Sequence, residues 1–405
     1  MNRFLKVKRG LCLALAILLA FSASGCLNPT AIDNLGYVVT VGVDKGTDKK
    51  YEVTLELQRE RSGEGGDDEG GAIILSAQGD TLFEVISVIN WGMPRQLNFT
   101  RTHVLLFSEE LARSGGMKDF LAMSFDMLRI RESAIIMVTH STAKEFIGGL
   151  SASEHSNISK IQEDLTTDMA KSGQIKVTDV TKFFESCEGG RFDVAMTMGY
   201  YEPDIITGAK QKDSASKGEN PLRDVPAGER VGGSQSLVAG VALFDGWRMT
   251  GILDAHETQF LNLGSGKFNL GTINTTLDGE IPVALYISMK KYSVKVDLKA
   301  AVQVRVNISI GLSVQQDATN LIGHEWETVY REKFTEYFKN ELDRVFEILI
   351  KANSDAMGFG RYALTQFKTV EEWENFDWKK YYRRLKVDFN VNLNLDDTYV
   401  AMSGQ

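Results

Sequence analysis

The stretch VQVRVNISIGL, residues 302–312, decides the fold class of the second half of the chain. Apolar side chains occupy every second position from Val302 to Leu312, which is typical of a β-strand with one face on a core and the other in water. The same alternation occurs at residues 292–298 and again at residues 385–395. Three long amphipathic strands of this kind predict an antiparallel sheet with one buried face.

A helix over residues 325–352 is predicted to cover that sheet. Its apolar positions recur every three or four residues, as on one face of a helix: Trp326, Val329, Phe334, Phe338, Leu342, Val345, Phe346 and Leu349. The same stripe could instead dock a partner. One helix beside one long sheet favours packing into a core.

The first half of the chain alternates predicted strands and helices. Residues 37–43 (YVVTVGV) indicate a strand buried on both faces, and residues 51–57 alternate like a second strand that pairs with it as a hairpin. Asp80 is placed to cap a following helix. Further strands are predicted at residues 103–107 and 134–139, and helices at residues 117–128, 142–150, 159–171 and from 180. Hairpins within this alternation predict the α+β class, with mixed and antiparallel sheets covered by helices.

An abrupt change in composition divides the chain. Residues 207–236 are rich in glycine, serine and charged side chains and contain hardly a large apolar residue, as expected of a linker. We therefore predict a signal peptide at residues 1–25, an N-terminal α+β region at 26–206 that could itself divide in two, the linker, and a C-terminal α+β region at 237–405. A length of 405 residues fits two or three domains.

The first 26 residues indicate an exported, lipid-anchored protein. A basic head precedes an apolar run over Leu11–Phe21 and then small residues, which is the pattern of a secretory signal. The run is shorter than the roughly 20 residues that a transmembrane helix needs. Ala23-Ser24-Gly25-Cys26 resembles a bacterial lipobox, in which the cysteine sulfur accepts diacylglycerol. We predict that Cys26 carries the lipid; the alternative is an ordinary secretory signal cleaved near Gly25.

Charge and motif content exclude several classes of function. The chain has 45 Lys+Arg against 54 Asp+Glu, a net charge of -9, and this excess of acid opposes nucleic-acid binding. His256 and His324 are each followed by Glu but lack the second His one helical turn later that a zinc site needs. Ser214-Ala215-Ser216-Lys217 matches S-x-x-K, but it lies in the predicted linker and has no K-T-G companion. We predict no catalytic site, no metal and no cofactor.

Two further features favour structural interpretations. After loss of residues 1–25 and acylation of Cys26, Cys187 is the one cysteine left, and we predict a small half-buried hydrophobe rather than a reactive thiol. Residues 61–71 (RSGEGGDDEGG) contain five glycines and no apolar residue, which indicates a surface loop. The acidic residues of this loop could hold Ca²⁺, but they lack the ordered spacing of oxygen ligands in a calcium loop.

Several motifs follow one another in a fixed order. Cys26 precedes IDNLGYVVTVGVDK at residues 32–45, ELARSGG at 110–116, GVALFDGWRMTGILDAHET at 240–258, DAMGFG at 355–360, and then Trp373 and Trp378. From Cys26 to Gly404 this series resembles the C subunits of bacterial spore nutrient-germinant receptors, the Ger(x)C family. The chain departs from the family at residues 61–71, in the long linker, and at Arg129-Ile130-Arg131, where the family usually has an Arg-Asp pair.

The resemblance implies a non-enzymatic, lipid-anchored subunit of a germinant receptor that is needed for nutrient-triggered germination. It also implies a location on the outer face of the inner spore membrane, with two integral-membrane subunits as partners. The alternative is a lipid-anchored solute-binding protein of a transporter, which the long alternating strands disfavour. We expect Trp373 and Trp378 to pack under the C-terminal sheet. We expect four motif glycines to supply turns at positive φ: Gly240, Gly251, Gly358 and Gly360.

Overall fold

Two β-sheets with helices packed against them make up the described structure, which confirms the α+β class. The computed structural model describes residues 34–58, 72–151, 170–202, 235–277, 281–298, 302–317 and 326–395. Within these residues, no helix combines the length and the apolar character needed to cross a bilayer.

Ten of the described strands form the larger sheet. They are β1 (Leu35–Lys45), β2 (Tyr51–Leu57), β3 (Ile73–Gly79), β4 (Gln96–Asn98), β5 (Val104–Ser108), β6 (Ile135–Thr139), β7 (Thr178–Asp179), β8 (Ala195–Tyr201), β9 (Ser236–Asp245) and β10 (Arg248–Leu253). The main order is β10-β9-β8-β6-β5-β1-β2-β3, while β4 pairs with β1 and β7 with β6. The sheet is mixed, because β1, β5, β6 and β8 run parallel and both ends of the sheet are antiparallel.

Helices cover both faces of the larger sheet. The described helices of the chain are α1 (Leu82–Trp91), α2 (Glu109–Ser114), α3 (Met117–Leu128), α4 (Ala143–Ser151), α5 (Val180–Gly189), α6 (Ala255–Gly264), α7 (Trp326–Lys351), α8 (Phe359–Leu364), α9 (Val370–Phe376) and α10 (Trp378–Tyr382). Alternate residues of β5 face two separate cores: Leu106 packs with α4, and Leu105 packs with α1, α3 and α5. On β1, Val41 is fully buried in the same core as Leu105, whereas a Cβ at Gly42 would meet Ala143 and Ile147 of α4, so the predicted strand with two buried faces is confirmed.

The start of α1 differs from the prediction that Asp80 caps it. The hydroxyl of Thr81 accepts the backbone N–H of Glu84 at 3.2 Å and is the N-cap. Asp80 lies one residue too early for that role. Its carboxylate instead accepts the backbone N–H of Lys50 at 3.0 Å and the ammonium of Lys49 at 2.8 Å, so it ties the helix start to the β1–β2 turn.

The smaller sheet has the order β11-β12-β13-β14, with β11 (Leu270–Leu277), β12 (Ile281–Asp297), β13 (Gln303–Asp317) and β14 (Lys386–Leu395). The predicted antiparallel arrangement is correct for β12 and β13 but wrong for β14, which runs parallel to β13 with Val306 opposite Phe389. The reason is that the four helices α7 to α10 come between β13 and β14 in the sequence. They return the chain to the end of the sheet at which β13 began, so β14 runs in the same direction as β13. The predicted cover is confirmed, since α7 buries Phe338 and Leu342 in the same core.

The strands that follow the predicted linker extend the larger sheet. β9 pairs antiparallel with β8, from Leu243 opposite Ala195 to Ser236 opposite Tyr201. Residues 203–234 lie outside the described structure, and they include most of the predicted linker. The linker therefore joins two neighbouring strands of one sheet, and the domain division at this point stays a prediction.

Candidate functional site

The segment between α7 and α8 turns around the carboxylate of Asp355. Oδ1 accepts the backbone N–H groups of Gly358 at 3.0 Å and Phe359 at 2.8 Å. Oδ2 accepts the N–H of Gly360 at 2.7 Å and the indole N–H of Trp378 at 2.9 Å. Asp355 is fully buried, and four donors on one carboxylate offset much of the desolvation that burial costs.

Two of the four motif glycines have the expected conformation. Gly240 has φ 71° and Gly358 has φ 79°. The expectation was wrong for Gly251 and Gly360, whose φ angles are not positive. At Gly360 the requirement is space, because a Cβ there would lie 2.3 Å from the carbonyl oxygen of Arg191.

Asp193 connects this turn to the larger sheet. It lies two residues before β8 and is buried. The backbone N–H of Asp193 donates to the carbonyl oxygen of Asp355 at 3.1 Å, and the N–H of Asp355 donates to Oδ2 of Asp193 at 2.7 Å. Oδ1 of Asp193 accepts the N–H of Gly246, in the β9–β10 turn, at 3.2 Å. A reciprocal pair therefore joins the larger sheet to the turn after α7.

Lys379 completes the contact from α10. Its ammonium donates to the carboxylate of Asp193, to Oδ1 of Asp245 at 2.8 Å and to the carbonyl oxygen of Asn353 at 2.9 Å. The side-chain amide of Asn353 donates to Oδ2 of Asp245 at 2.6 Å. We call Asp193, Asp245, Asn353, Asp355 and Lys379 the junction cluster.

Burial dominates the electrostatics of the junction cluster. It raises the pKa of Asp355 to about 7, and it raises the pKa of Asp193 against the opposing charge of Lys379. Burial would lower the pKa of Lys379, but the neighbouring carboxylates outweigh it and the pKa is raised. Nearby, Lys176 donates to the carbonyl oxygen of Ala356 at 2.8 Å, and burial lowers its pKa to about 7. Within the cluster, the carboxylate of Asp193 is thus shielded from water, whereas the side chain of Asp245 is 34% exposed.

The hydrogen bonds of the junction cluster join the larger sheet to the segment that follows α7. Both carboxylate oxygens of Asp193, Asp245 and Asp355 receive donors from the protein itself. Trp378 stacks on Trp373 at 6.2 Å beside the cluster, and both are buried in the core of the smaller sheet as expected. Within the described ranges, no group of three or more His, Cys, Asp or Glu side chains is arranged to hold a metal ion.

Several features singled out from the sequence are not part of the described structure. Cys26, the loop at 61–71 and the S-x-x-K motif at 214–217 lie outside the described residues. Cys187 is half-buried in α5 against the core of the larger sheet, where burial raises the pKa of its thiol, as expected of a packed cysteine. His256 contacts the hydroxyl of Tyr337 at 3.1 Å.

Sequence reasoning missed Asp193, Asp245 and Lys379 as parts of one cluster. Asp193 lies 162 residues from Asp355 in sequence, and no local pattern marks it. One signal was present: Asp355, Gly360 and Trp378 all belong to the motifs that carry the family resemblance.

Family comparisons show that the protein is one of the spore germination proteins. Residues 28–198 match the spore germination protein N-terminal domain, and residues 239–399 match the spore germination B3/GerAC-like C-terminal domain. The two matches flank the predicted linker and together cover most of the chain. The chain belongs to the GerAC family, which confirms the resemblance to the C subunits of germinant receptors.

Individual relatives agree with this membership. Spore germination protein KC of Bacillus subtilis (strain 168) is 25% identical over 187 residues, which are 44% of this chain and 46% of that protein, so the aligned part is less than half of the relative. "Putative spore germination protein YfkR" of the same organism is 21% identical over 397 residues, 92% of each chain. The crystal structure of the GerBC protein shares the fold, with a TM-score of 0.52 at 14% identity, covering 88% of this chain and 96% of that one.

Proposed function

We propose that the protein is a non-enzymatic, lipid-anchored subunit of a spore germinant receptor, required for nutrient-triggered germination. Diacylglycerol on Cys26 holds it on the outer face of the inner spore membrane. There it contacts the two integral-membrane subunits of the receptor. The observation that carries this proposal is the match of both halves of the chain to spore germination domains.

A lipid anchor explains how a non-enzymatic subunit of this kind acts through binding to its membrane partners. A protein confined to a membrane surface meets membrane partners at a raised effective concentration, so it needs no large affinity of its own. Two acyl chains on one cysteine hold a protein stably, whereas one chain holds it only marginally. The junction cluster fits this role because it joins the two family-matched halves through buried hydrogen bonds.

Replacement of Cys26 in the native gene tests the anchor. Cys26→Ala should move the protein from the membrane to the soluble fraction and reduce germination to the level of a gene deletion. Cys187→Ala is the matched control and should leave the protein on the membrane. Full membrane retention of the Cys26→Ala protein, with the integral subunits absent, contradicts the anchor.

Deletion of the gene tests the receptor role. We expect spores to lose germination by one class of nutrient and to keep germination by nutrients that other receptors serve. Uptake of sugars and amino acids should be unchanged. A deletion strain that germinates normally but no longer takes up one solute would replace this proposal with the solute-binding alternative.

A further inference from the structure

Helix α1 carries apolar side chains on both of its faces. The inner face packs Leu82 and Val85 into the core of the larger sheet. The outer face leaves Phe83 66% exposed and Trp91 83% exposed, and Glu84 is the one charged residue of the helix. A surface helix normally turns polar side chains outward. The outer face of α1 is therefore suited to a contact with an apolar or interfacial environment.

Trp91 lies at the end of the larger sheet where β1 begins. β3 ends at Gly79, which pairs with Tyr51, the first residue of β2, and this is the end of the sheet opposite to the start of β1. Helix α1 then leads the chain back toward the start of β1. Directly after α1, Gln96 of β4 pairs with Leu35, the first residue of β1. The exposed indole and the start of β1 are consequently at one end of the molecule.

Four arginines lie at this same end: Arg95, Arg101, Arg129 and Arg131. The guanidinium of Arg101 lies over the ring of Tyr37, 4.1 Å from its centroid, near the start of β1. Nε of Arg131 donates to the carbonyl oxygen of Thr100 at 2.8 Å, which places the α3–β6 turn beside the β4–β5 turn. We call these four arginines and Trp91 the basic end.

An acidic residue also lies beside the basic end. Glu132 is exposed in the α3–β6 turn, next to Arg131. Charge alone therefore does not select a strongly anionic surface. A phospholipid interface fits the whole set of side chains, because it offers phosphate groups to the arginines and the interfacial layer that tryptophan prefers.

We propose that the basic end docks on the phospholipid surface of the membrane that holds Cys26, with Trp91 in the interfacial layer. This inference rests on the lipid anchor proposed above. Cys26 is eight residues before Asn34, the first described residue, so an extended chain between them spans at most about 29 Å. The anchor keeps the basic end close to the bilayer, and a weak contact is then enough to fix the orientation of the protein.

Fluorescence quenching by brominated lipid tests the docking. The full lipidated protein is reconstituted in vesicles of phosphatidylcholine with a minor share of phosphatidylglycerol, with plain or brominated acyl chains. Bromine quenches tryptophan only at short range. We expect brominated lipid to quench the wild type and Trp91→Phe to lose most of that quenching. Among the four tryptophans whose burial the structure describes, Trp91 is the exposed one, Trp247 is half-buried, and Trp373 and Trp378 are buried. Equal quenching of the wild type and Trp91→Phe would overturn the proposal.

A charge variant adds a second readout. Arg129 has φ 52°, a conformation that asparagine tolerates, so Arg129→Asn removes a charge from the basic end without backbone strain. We expect it to shift the docking equilibrium about fivefold toward the undocked form. Lys339→Gln, on the exposed face of α7, is the matched control and should have no effect. An equal shift in both variants contradicts a specific basic end.

Flotation of the same vesicles separates this inference from the proposed function. Protein that floats through Cys26 but shows no quenching of Trp91 retains the anchor and refutes the docking. Protein that fails to float refutes the anchor. Quenching that requires the integral subunits in the vesicles would assign the basic end to a protein partner and would also overturn the lipid contact.

Discussion

Asp193 and Asp355 form a reciprocal pair of hydrogen bonds across 162 residues of sequence: the backbone N–H of Asp193 donates to the carbonyl oxygen of Asp355 at 3.1 Å, and the backbone N–H of Asp355 donates to the Asp193 carboxylate at 2.7 Å. Asp193 belongs to the part of the chain that matches the N-terminal family domain, and Asp355 belongs to the part that matches the C-terminal one. The two family domains are therefore joined through buried polar groups as well as through apolar packing. A buried polar contact of this kind tolerates little change, because each group that loses its partner stays desolvated.

Lys379→Met tests the importance of the junction cluster. The variant leaves the carboxylate of Asp193 buried without its cation, and we expect the free energy of unfolding to fall by about 3–5 kcal/mol in urea denaturation. Lys380→Met, at the next position but exposed, is the matched control and should change stability by less than about 0.5 kcal/mol. A similar loss in Lys379→Met and Lys380→Met would refute the cluster.

Two glycines inside helices should respond to alanine with opposite signs. At Gly360 in α8 a Cβ would meet the carbonyl oxygen of Arg191 at 2.3 Å, whereas at Gly148 in α4 nothing lies within 4 Å. Gly360→Ala should destabilise the protein by about 1–3 kcal/mol through forced repacking, and Gly148→Ala should stabilise it by about 0.5–1 kcal/mol. Thermal unfolding of both variants measures this difference. Stabilisation by Gly360→Ala would show that the approach to Arg191 is not as close as described.

Glu56 gives a prediction about pH. It is 2% exposed on β2, and burial raises its pKa to about 7. Because this folded-state pKa lies above the unfolded value of about 4.3, the contribution of Glu56 to stability is complete below about pH 4 and is lost as the pH rises through 7.

Glu56→Gln, which is neutral at every pH, should remove that part of the pH dependence. The stability of the variant relative to the wild type should increase between pH 4.5 and pH 8 by up to about 3 kcal/mol, as measured by urea denaturation at each pH. Glu347→Gln replaces an exposed glutamate of α7 and is the control. Parallel pH curves for Glu56→Gln and the wild type would be inconsistent with a buried, titrating carboxyl.

Local patterns predicted the elements of the fold better than their connections. The helix at residues 117–128 was predicted at both ends, and the burial of Val38 and Val41 on β1 was predicted from an unbroken apolar run. The direction of β14 was not predicted correctly. Periodicity shows which face of a strand is buried, but it does not show whether the strand runs parallel or antiparallel to its neighbour. The membership of β9 in the larger sheet depends on pairing with β8 across 34 residues between Tyr201 and Ser236, and composition there indicated separation instead.

The junction cluster lay further beyond sequence reasoning. Asp355 was noticed only as part of a family-like motif, and nothing near Asp193 or Lys379 shows that they meet. The contact exists because three turns come together, the one before β8, the one after β9 and the one after α7. Such a meeting is a property of the tertiary fold, which one sequence without its homologues does not reveal.

Limited proteolysis tests whether the parts of the chain before and after residues 207–236 stay associated once the connection between them is cut. The composition of residues 207–236 predicts early cleavage there, because a segment with so few apolar residues cannot order itself by burial. The structure adds that β8 and β9, on either side of the cut, are hydrogen-bonded neighbours, and that the junction cluster joins the halves again.

We therefore expect two fragments on a denaturing gel but one species, of the size of the intact protein, in size-exclusion chromatography under native conditions. The nicked form of Lys379→Met should separate more readily in mild urea than the nicked wild type, because it lacks the central cation of the cluster. Separation of the wild-type fragments without denaturant would contradict the shared sheet. A first cut within residues 292–312 would instead refute the predicted division of the chain, since that segment contains the end of β12 and the start of β13, which pair with each other.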